Sequence, residues 1–410
     1  MREARKTAAL VTAAGVLVLL TWLGSRHGPA ATLAERDTLL FPQFTDPNAA
    51  VSLEAIGFDE QSAAPRPFKV VNRRGHWMIP SHYDYPADAK DRLAQMASAV
   101  VTFRKEDFVS ESAADHERYG VLDPLDPTLP GVKGRGTRIT IRGENERLLA
   151  DVVIGRPLAE HADLRYVRAP DQRAVYVSRV GDLNLSIRFN DWIDPDLLQI
   201  DSREVDTINV VNYSLDESRG TVKTREALLL QRKGEDEWRL EGQGAGETID
   251  PVAINLLVTS IAGLRIVGVL PKPAGISAAL SRSDRTAAIT TSDRDDLARK
   301  GFYLTRDGRL LSSEGEIIVH TRSGVFYTLR FGEVAPGEIG AAANRENRFL
   351  FIVITFDPAS AERGAQSIEA SQSKTALLDD RFAPWYYIIS ADSFARIRVQ
   401  RRDLVKRARG

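Results

Sequence analysis

A pattern that occurs twice constrains this chain most. Val51–Gln61 reads VSLEAIGFDEQ and Ile208–Ser218 reads INVVNYSLDES, so that Phe58-Asp59-Glu60 falls on Leu215-Asp216-Glu217, an offset of 157. After each comes an apolar run, a basic, glycine-bearing turn and a tryptophan strand: FKVVNRRGHWMI with Trp77, then ALLLQRKGEDEWRL with Trp238. Two β-patterned runs around such a turn predict a hairpin. A helix follows in both copies. In DYPADAKDRLAQMASAVV, Asp84 is the expected cap and Pro86 the first-turn proline, with Leu93, Met96, Ala97, Val100 and Val101 on one face. In DPVAINLLVTSIAGLRI, Asp250 and Pro251 take those places, with Ile254, Leu257, Ile261 and Leu264 as the stripe.

Further matches run in the same order. Glu117-Arg118-Tyr119-Gly120 parallels Ala298-Arg299-Lys300-Gly301, a helix end stopped by glycine. The β-patterned stretch ending at Gly155 parallels the one ending at Gly332. Arg165-Tyr166-Val167 parallels Arg348-Phe349-Leu350, and Val175-Tyr176-Val177-Ser178 parallels Tyr387-Ile388-Ile389-Ser390. The expected class is α+β: two similar repeats, each a β-hairpin, a helix and an antiparallel meander. Residues 1–30 are expected to be an anchor, 31–50 a lead, 51–200 the first repeat and 201–410 the second. Surplus length collects in the second repeat near 272–298 and 357–380. Both stretches are polar and read as tolerated surface insertions, the latter an exposed helix or an arm that docks a partner.

The anchor rests on Met1–Gly24. Arg2, Arg5 and Lys6 precede Thr7–Gly24, eighteen residues without a charge. At about 1.5 Å per residue that run spans roughly 27 Å, close to a bilayer's hydrocarbon thickness. Leu10, Val11, Val16, Leu17, Val18, Leu19, Leu20, Trp22 and Leu23 carry the apolar surface, with Trp22 placed for the interface. The basic flank predicts a cytoplasmic amino terminus in the inner membrane and an extracytoplasmic remainder. A cleaved signal peptide is the rival expectation.

Composition removes several chemistries. The chain has no Cys, so thiol catalysis, disulfides and Cys-built metal centres are excluded. A net charge of -1 makes nucleic acid an unexpected partner. His76, His82 and Asp84 form the one close His/Asp cluster, and its counterpart, GQGAGETID, lacks His. Gly131–Thr137, GVKGRGT, lacks the lysine of a phosphate loop, and Gly242, Gly244 and Gly246 read as a connector into the following helix. No nucleophile elbow is present. Asp59-Glu60 and Asp216-Glu217 read as solvated turn acids, and Trp385-Tyr386-Tyr387 as core. No catalytic residue, metal or cofactor is expected. The last fifteen residues, RIRVQRRDLVKRARG, concentrate positive charge, and Arg401, Arg402, Lys406 and Arg407 are the expected contact for an anionic surface, lipid or protein.

With these residues in view, the chain resembles a bacterial family of domains of unknown function. The resemblance rests on the apolar span, Leu39-Leu40-Phe41-Pro42, the Trp77 strand, Tyr85-Pro86-Ala87-Asp88, Tyr119-Gly120-Val121-Leu122-Asp123-Pro124 and Val153-Ile154-Gly155. Val121 interrupts what would usually read Tyr-Gly-Leu-Asp. The resemblance implies a single-span anchored protein whose genes lie beside ABC-type transport components similar to a gliding-motility system. It therefore implies a non-enzymatic accessory subunit that binds and positions an envelope or transport partner. The alternatives are an envelope hydrolase using carboxylates, or a sensor holding a ligand between the repeats.

Overall fold

The computed structural model describes residues 36–128, 131–181, 186–216, 221–234, 237–281, 289–305, 307–335, 346–362 and 367–407. The expected anchor, Leu10 to Leu23, lies outside them. Among the described residues no helix is long and apolar enough to cross a membrane. Contacts divide the chain into two bodies, residues 36–67 with 91–181 and residues 68–90 with 186–407. Residues 68–90 and 186–200, expected in the first repeat, thus group with the second body.

The first half of the chain supplies β1 (Ser52–Asp59), β2 (Ala64–Arg73), β3 (His76–Ile79), β4 (Tyr85–Pro86), α1 (Lys90–Val101), β5 (Asp107–Ser110), α2 (His116–Tyr119), β6 (Thr137–Arg142), β7 (Leu148–Leu158), β8 (His161–Arg168) and β9 (Val175–Arg179). In the first body the strands lie side by side as β1-β6-β7-β8-β9-β5. From β1 onward each neighbouring pair is antiparallel. β7 is apolar over most of its length and buries Leu149, Ala150, Val152, Val153 and Ile154, as a central strand must. α1 buries Leu93, Met96, Ala97 and Val100, four of the five expected, with Val101 half-buried.

The start of α1 departs from expectation. Pro86 pairs with Met78 as part of β4. Asp84 sits in a turn at φ 58° and pairs with Arg73 at 3.1 Å instead of capping a helix. The reason is that the following backbone is already engaged: Ala87 N–H donates to Trp77 O at 2.9 Å and Asp88 N–H to Trp192 O at 2.8 Å. The helix begins only beyond them, at Lys90.

The second body adds β10 (Val205–Asp216), β11 (Thr221–Lys233), β12 (Glu237–Leu240), β13 (Glu247–Ile249), α3 (Pro251–Ala262), β14 (Ile266–Pro271), α4 (Ala274–Ser281), α5 (Thr291–Arg299), β15 (Phe302–Leu304), β16 (Leu310–Ser312), β17 (Glu316–Thr321), β18 (Val325–Val334), β19 (Arg348–Phe356), α6 (Ile368–Phe382), β20 (Trp385–Ile389), α7 (Ala391–Ile397), α8 (Arg401–Leu404) and β21 (Val405–Arg407). Its main sheet has the order β12-β11-β10-β17-β18-β19-β20-β14, antiparallel at every pair. Two short ladders, β13 with β21 and β15 with β16, stand apart. The chain is therefore α+β with antiparallel sheets.

The two polar stretches of the second half are not surface decoration. The first forms α4 and α5, whose Ile276 and Leu297 are fully buried with Phe302, Phe351 and Tyr386. Its polar residues go into caps: the Thr290 hydroxyl accepts from Asp293 N–H at 3.2 Å, and the Asp293 carboxylate accepts from Thr290 N–H at 2.9 Å. The second forms α6, which packs on β19 and buries Leu378 and Phe382. Tyr386 and Tyr387 are fully buried, as expected of core residues.

Candidate functional site

The carboxy-terminal basic residues converge on the start of α3. Asp250 caps that helix, accepting from Val252 N–H at 3.1 Å, and Pro251 occupies the first turn. β21 pairs with β13, setting Val405 against Ile249 and Lys406 against Thr248. α7 and α8 pack against α3. Arg401 donates to Glu247 Oε2 at 2.7 Å and to Gly242 O at 2.6 Å. The Glu247 carboxylate holds the Arg401 guanidinium above its ordinary pKa. Lys406 Nζ lies 2.9 Å from Asp250 Oδ2 and, as the largest influence, holds that carboxyl below its usual range. Arg402 is exposed and lies 3.9 Å from Asp403. Arg407 contributes backbone to β21, and its side chain lies outside the described part. Of the expected cations, Arg401 and Lys406 are thus brought to the start of α3, each tied to an acid more than 150 residues away in sequence.

α3 is itself unusual on its outer side. It buries Ile254, Leu257, Val258 and Ile261. No residue of PVAINLLVTSIA is charged, and Val252 and Leu256 remain 74% and 58% exposed. A helix that buries one apolar stripe and leaves two large apolar side chains exposed a turn apart on an uncharged outer side invites a contact there.

Other sequence candidates go elsewhere. His82 stacks on Phe189 with ring centroids 4.6 Å apart and shares a hydrogen bond with Ser81 Oγ at 3.1 Å. His76 is exposed on β3, and Asp84 is paired with Arg73. His116 Nε2 hydrogen-bonds Arg173 O at 2.8 Å, and burial lowers its pKa. His320 Nδ1 lies 2.6 Å from Asp206 Oδ1, between β17 and β10. The loop GVKGRGT is closed by Arg135, which donates to Asp123 O at 3.1 Å, Asp126 O at 2.9 Å and Gly131 O at 3.2 Å. In the glycine connector before α3, Gly244 N–H donates to Glu247 Oε2 at 2.9 Å, so this acid of the chain occupies what an anion would need. Asp59 accepts from Gln61 N–H and pairs with Arg66 at 2.7 Å, a self-contained turn.

Sequence reasoning missed two features. Lys272 is buried, donates to Phe382 O at 3.1 Å and lies 3.7 Å from the centre of the Phe351 ring. It places a cation on the last carbonyls of α6, where the helix dipole favours one. Burial lowers its pKa to about 7, against the opposing pull of Asp379. Burial, with Asp380 beside it, raises Asp379 to about 6. Nothing in PKPAG advertises a buried amine. The other feature is a 670 Å³ cavity in the first body, bordered by Arg92, Gln95, Thr102, Arg104, Glu106 and Arg179. Arg179 pairs with Glu106 at 3.5 Å and with Asp163, and Arg104 with Asp37 at 3.6 Å.

No curated protein and no solved structure matches the chain. Residues 77–280, from β3 through most of α4, match the family model described as Domain of unknown function (DUF4340), so that a domain of that family is present in this chain.

Proposed function

We propose that the protein is a membrane-anchored, extracytoplasmic accessory subunit. It would bind and position a partner in an ABC-type transport or envelope complex, without catalysing a reaction itself. The observation that carries this is Thr7–Gly24, eighteen uncharged residues behind Arg2, Arg5 and Lys6. A single span confines the rest of the chain to a membrane surface and raises its effective concentration toward a membrane partner.

Two observations support a body built of two α+β repeats. Strands β2-β1-β6-β7-β8-β9-β5 and β11-β10-β17-β18-β19-β20-β14 follow the same order, place for place. Gly155 and Gly332 also sit at matching corners. A Cβ on the first would lie 2.4 Å from Tyr119 O, and on the second 2.1 Å from Lys300 O, the residues before Gly120 and Gly301. The two repeats offer one scaffold with two differently dressed surfaces.

Co-purification of full-length protein from detergent-solubilised membranes at native expression tests the proposal. A membrane subunit of a transport complex is the expected companion, and recovery alone across several detergents counts against it. A carboxy-terminal reporter active only in the cytoplasm would sink the topology. The arginine-bordered cavity favours a sensor of a small anion as second reading. Its test is a rise in Tm with phosphate or citrate that Arg179→Ala removes.

A further inference from the structure

We infer that the outer face of α3 and the cations beside it form a docking face for an anionic bilayer surface. On this face the second body would lie against the membrane that its own span enters. The inference rests on the anchored reading and adds a second, separate contact to it.

Among the large apolar residues exposed in the described part, Val252 and Leu256 are one helical turn apart on one face. Ile368 and Leu377, the exposed pair on α6, are nine residues apart and point to opposite sides. Between and beyond Val252 and Leu256 the α3 surface continues as Asn255 and Thr259, both exposed and uncharged. This gives a strip that can enter the headgroup region without burying a charge.

The rim supplies the charge. Lys406, 67% exposed in its side chain, reaches Asp250 at the start of the helix. Arg402, 80% exposed, lies on α8, which packs against α3. Arg265 is exposed beyond the other end and borders a hollow with Thr259. Of the acids in the same region, Asp250 is held by Lys406, and Asp403 accepts from Gln400 N–H at 2.8 Å. Asp201, across that hollow, is paired with Arg203 at 2.8 Å, and Asp196, exposed on the same hollow, accepts from Gln199 N–H at 2.8 Å. Apolar residues at the centre with exposed cations around them match an anionic interface: side chains enter the acyl boundary while guanidinium and ammonium groups meet phosphates. The bilayer, not an acidic protein, is the chosen occupant because the sequence supplies its own span to hold this body at one.

The chain has no Cys, so single cysteines can be introduced without removing native ones. Full-length Leu256→Cys and Leu377→Cys would carry an environment-sensitive fluorophore and be reconstituted into vesicles. One set would be phosphatidylcholine alone, the other three parts phosphatidylcholine to one part phosphatidylglycerol, both with brominated acyl chains as quencher. The label at 256 should be quenched about threefold or more in the anionic vesicles and little in the neutral ones, while that at 377 stays unquenched. Each of Arg402→Gln and Arg265→Gln should lower the docking equilibrium constant by about fivefold. Flotation separates the two readings. Protein that fails to float with vesicles overturns the anchor, and the docking with it. Protein that floats but leaves residue 256 unquenched, as an acidic protein partner or a second copy on this face would give, overturns the docking alone. Equal quenching in neutral and anionic vesicles, or at 256 and 377, overturns it too.

Discussion

α1 and α3 bury the same pattern and expose opposite ones. α1 buries Leu93, Met96, Ala97 and Val100, and α3 buries Ile254, Leu257, Val258 and Ile261, both at i, i+3, i+4 and i+7. The shift between the two sets is the 161 residues that separate Trp77 from Trp238. At that shift Asp91 and Gln95 on α1 become Val252 and Leu256 on α3, all four exposed. Burial fixes the inner stripe, because each position must fill a defined volume. The outer stripe is under no such constraint, so it can change from polar to apolar without disturbing the packing beneath. The structural part of the two helices is shared, and what differs is the part that faces outward.

The deepest test of this comparison attacks what the halves share. Gly155→Ala and Gly332→Ala each drive a methyl group into a backbone carbonyl, at 2.4 Å and 2.1 Å. Each should destabilise the protein by about 2–3 kcal/mol, read by urea unfolding. Effects of similar size would sharpen the match between the two corners. A loss at one glycine alone would break it.

Lys272 tests where the halves diverge. β14 ends beside this buried amine, whereas β5, which takes the corresponding place in the strand order, leaves Asp107 and Phe108 exposed. The folded pKa of Lys272, about 7, lies below its unfolded value of 10.5. The unfolded chain therefore binds more protons between those values, and this group makes stability rise with pH across the window. Asp379 acts oppositely: its folded pKa of about 6 lies above 3.8, so its contribution falls as pH rises between them. Together they place a trough of stability near pH 6 to 7. Lys272→Met should raise stability by about 1–4 kcal/mol below pH 7 and flatten the rise above it. Tm measured from pH 5 to pH 10 checks this, and an unchanged slope in the variant refutes the assignment.

The helix starts give a smaller contrast. Asp250→Ala removes a cap that accepts from Val252 N–H and should cost about 1 kcal/mol. Asp84→Ala removes an exposed ion pair with Arg73 and should cost no more than about 0.5 kcal/mol. Equal losses in thermal unfolding would mean that Asp84 matters to α1 after all. This pair also shows what the sequence could convey. Asp250 was legible because Pro251 follows at once and the apolar stripe Ile254, Leu257, Ile261 continues at helical spacing. Asp84-Tyr85-Pro86 fits an edge strand equally well, and the choice was made by Trp77 and Trp192, whose carbonyls take the next two N–H groups. The inner stripes and the stops at Gly120 and Gly301 were legible because they depend on local period and on φ, 71° and 81° at the two glycines. The stretch 357–380 does carry a helix with an exposed side, one of its two expected forms, but the burial of Ile276, Leu297 and Leu378 was hidden because composition averages over the few residues that anchor these stretches. The positive end of the chain was plain, but its pairing with Glu247 and Asp250 depends on contacts far apart in sequence. So does the burial of Lys272.

The last and smallest effect on stability carries the most information about function. Giving α3 the outer residues of α1, by Val252→Asp together with Leu256→Gln, changes only exposed positions. Stability should stay within about 0.5 kcal/mol of the parent. If the outer face meets lipid, the same variant should lose the slowing of amide exchange that anionic vesicles give to α3 in the parent, while exchange in α1 is unaffected in both. The double change leaves Arg402, Lys406 and Arg265 in place, so it separates the apolar contribution from the charge. Protection of α3 that survives the exchange would mean that the cations suffice and that Val252 and Leu256 serve something else. A stability loss well beyond 0.5 kcal/mol would mean that the two side chains are packed in solution, and the difference between the two helices would then belong to the fold instead of to a surface they serve.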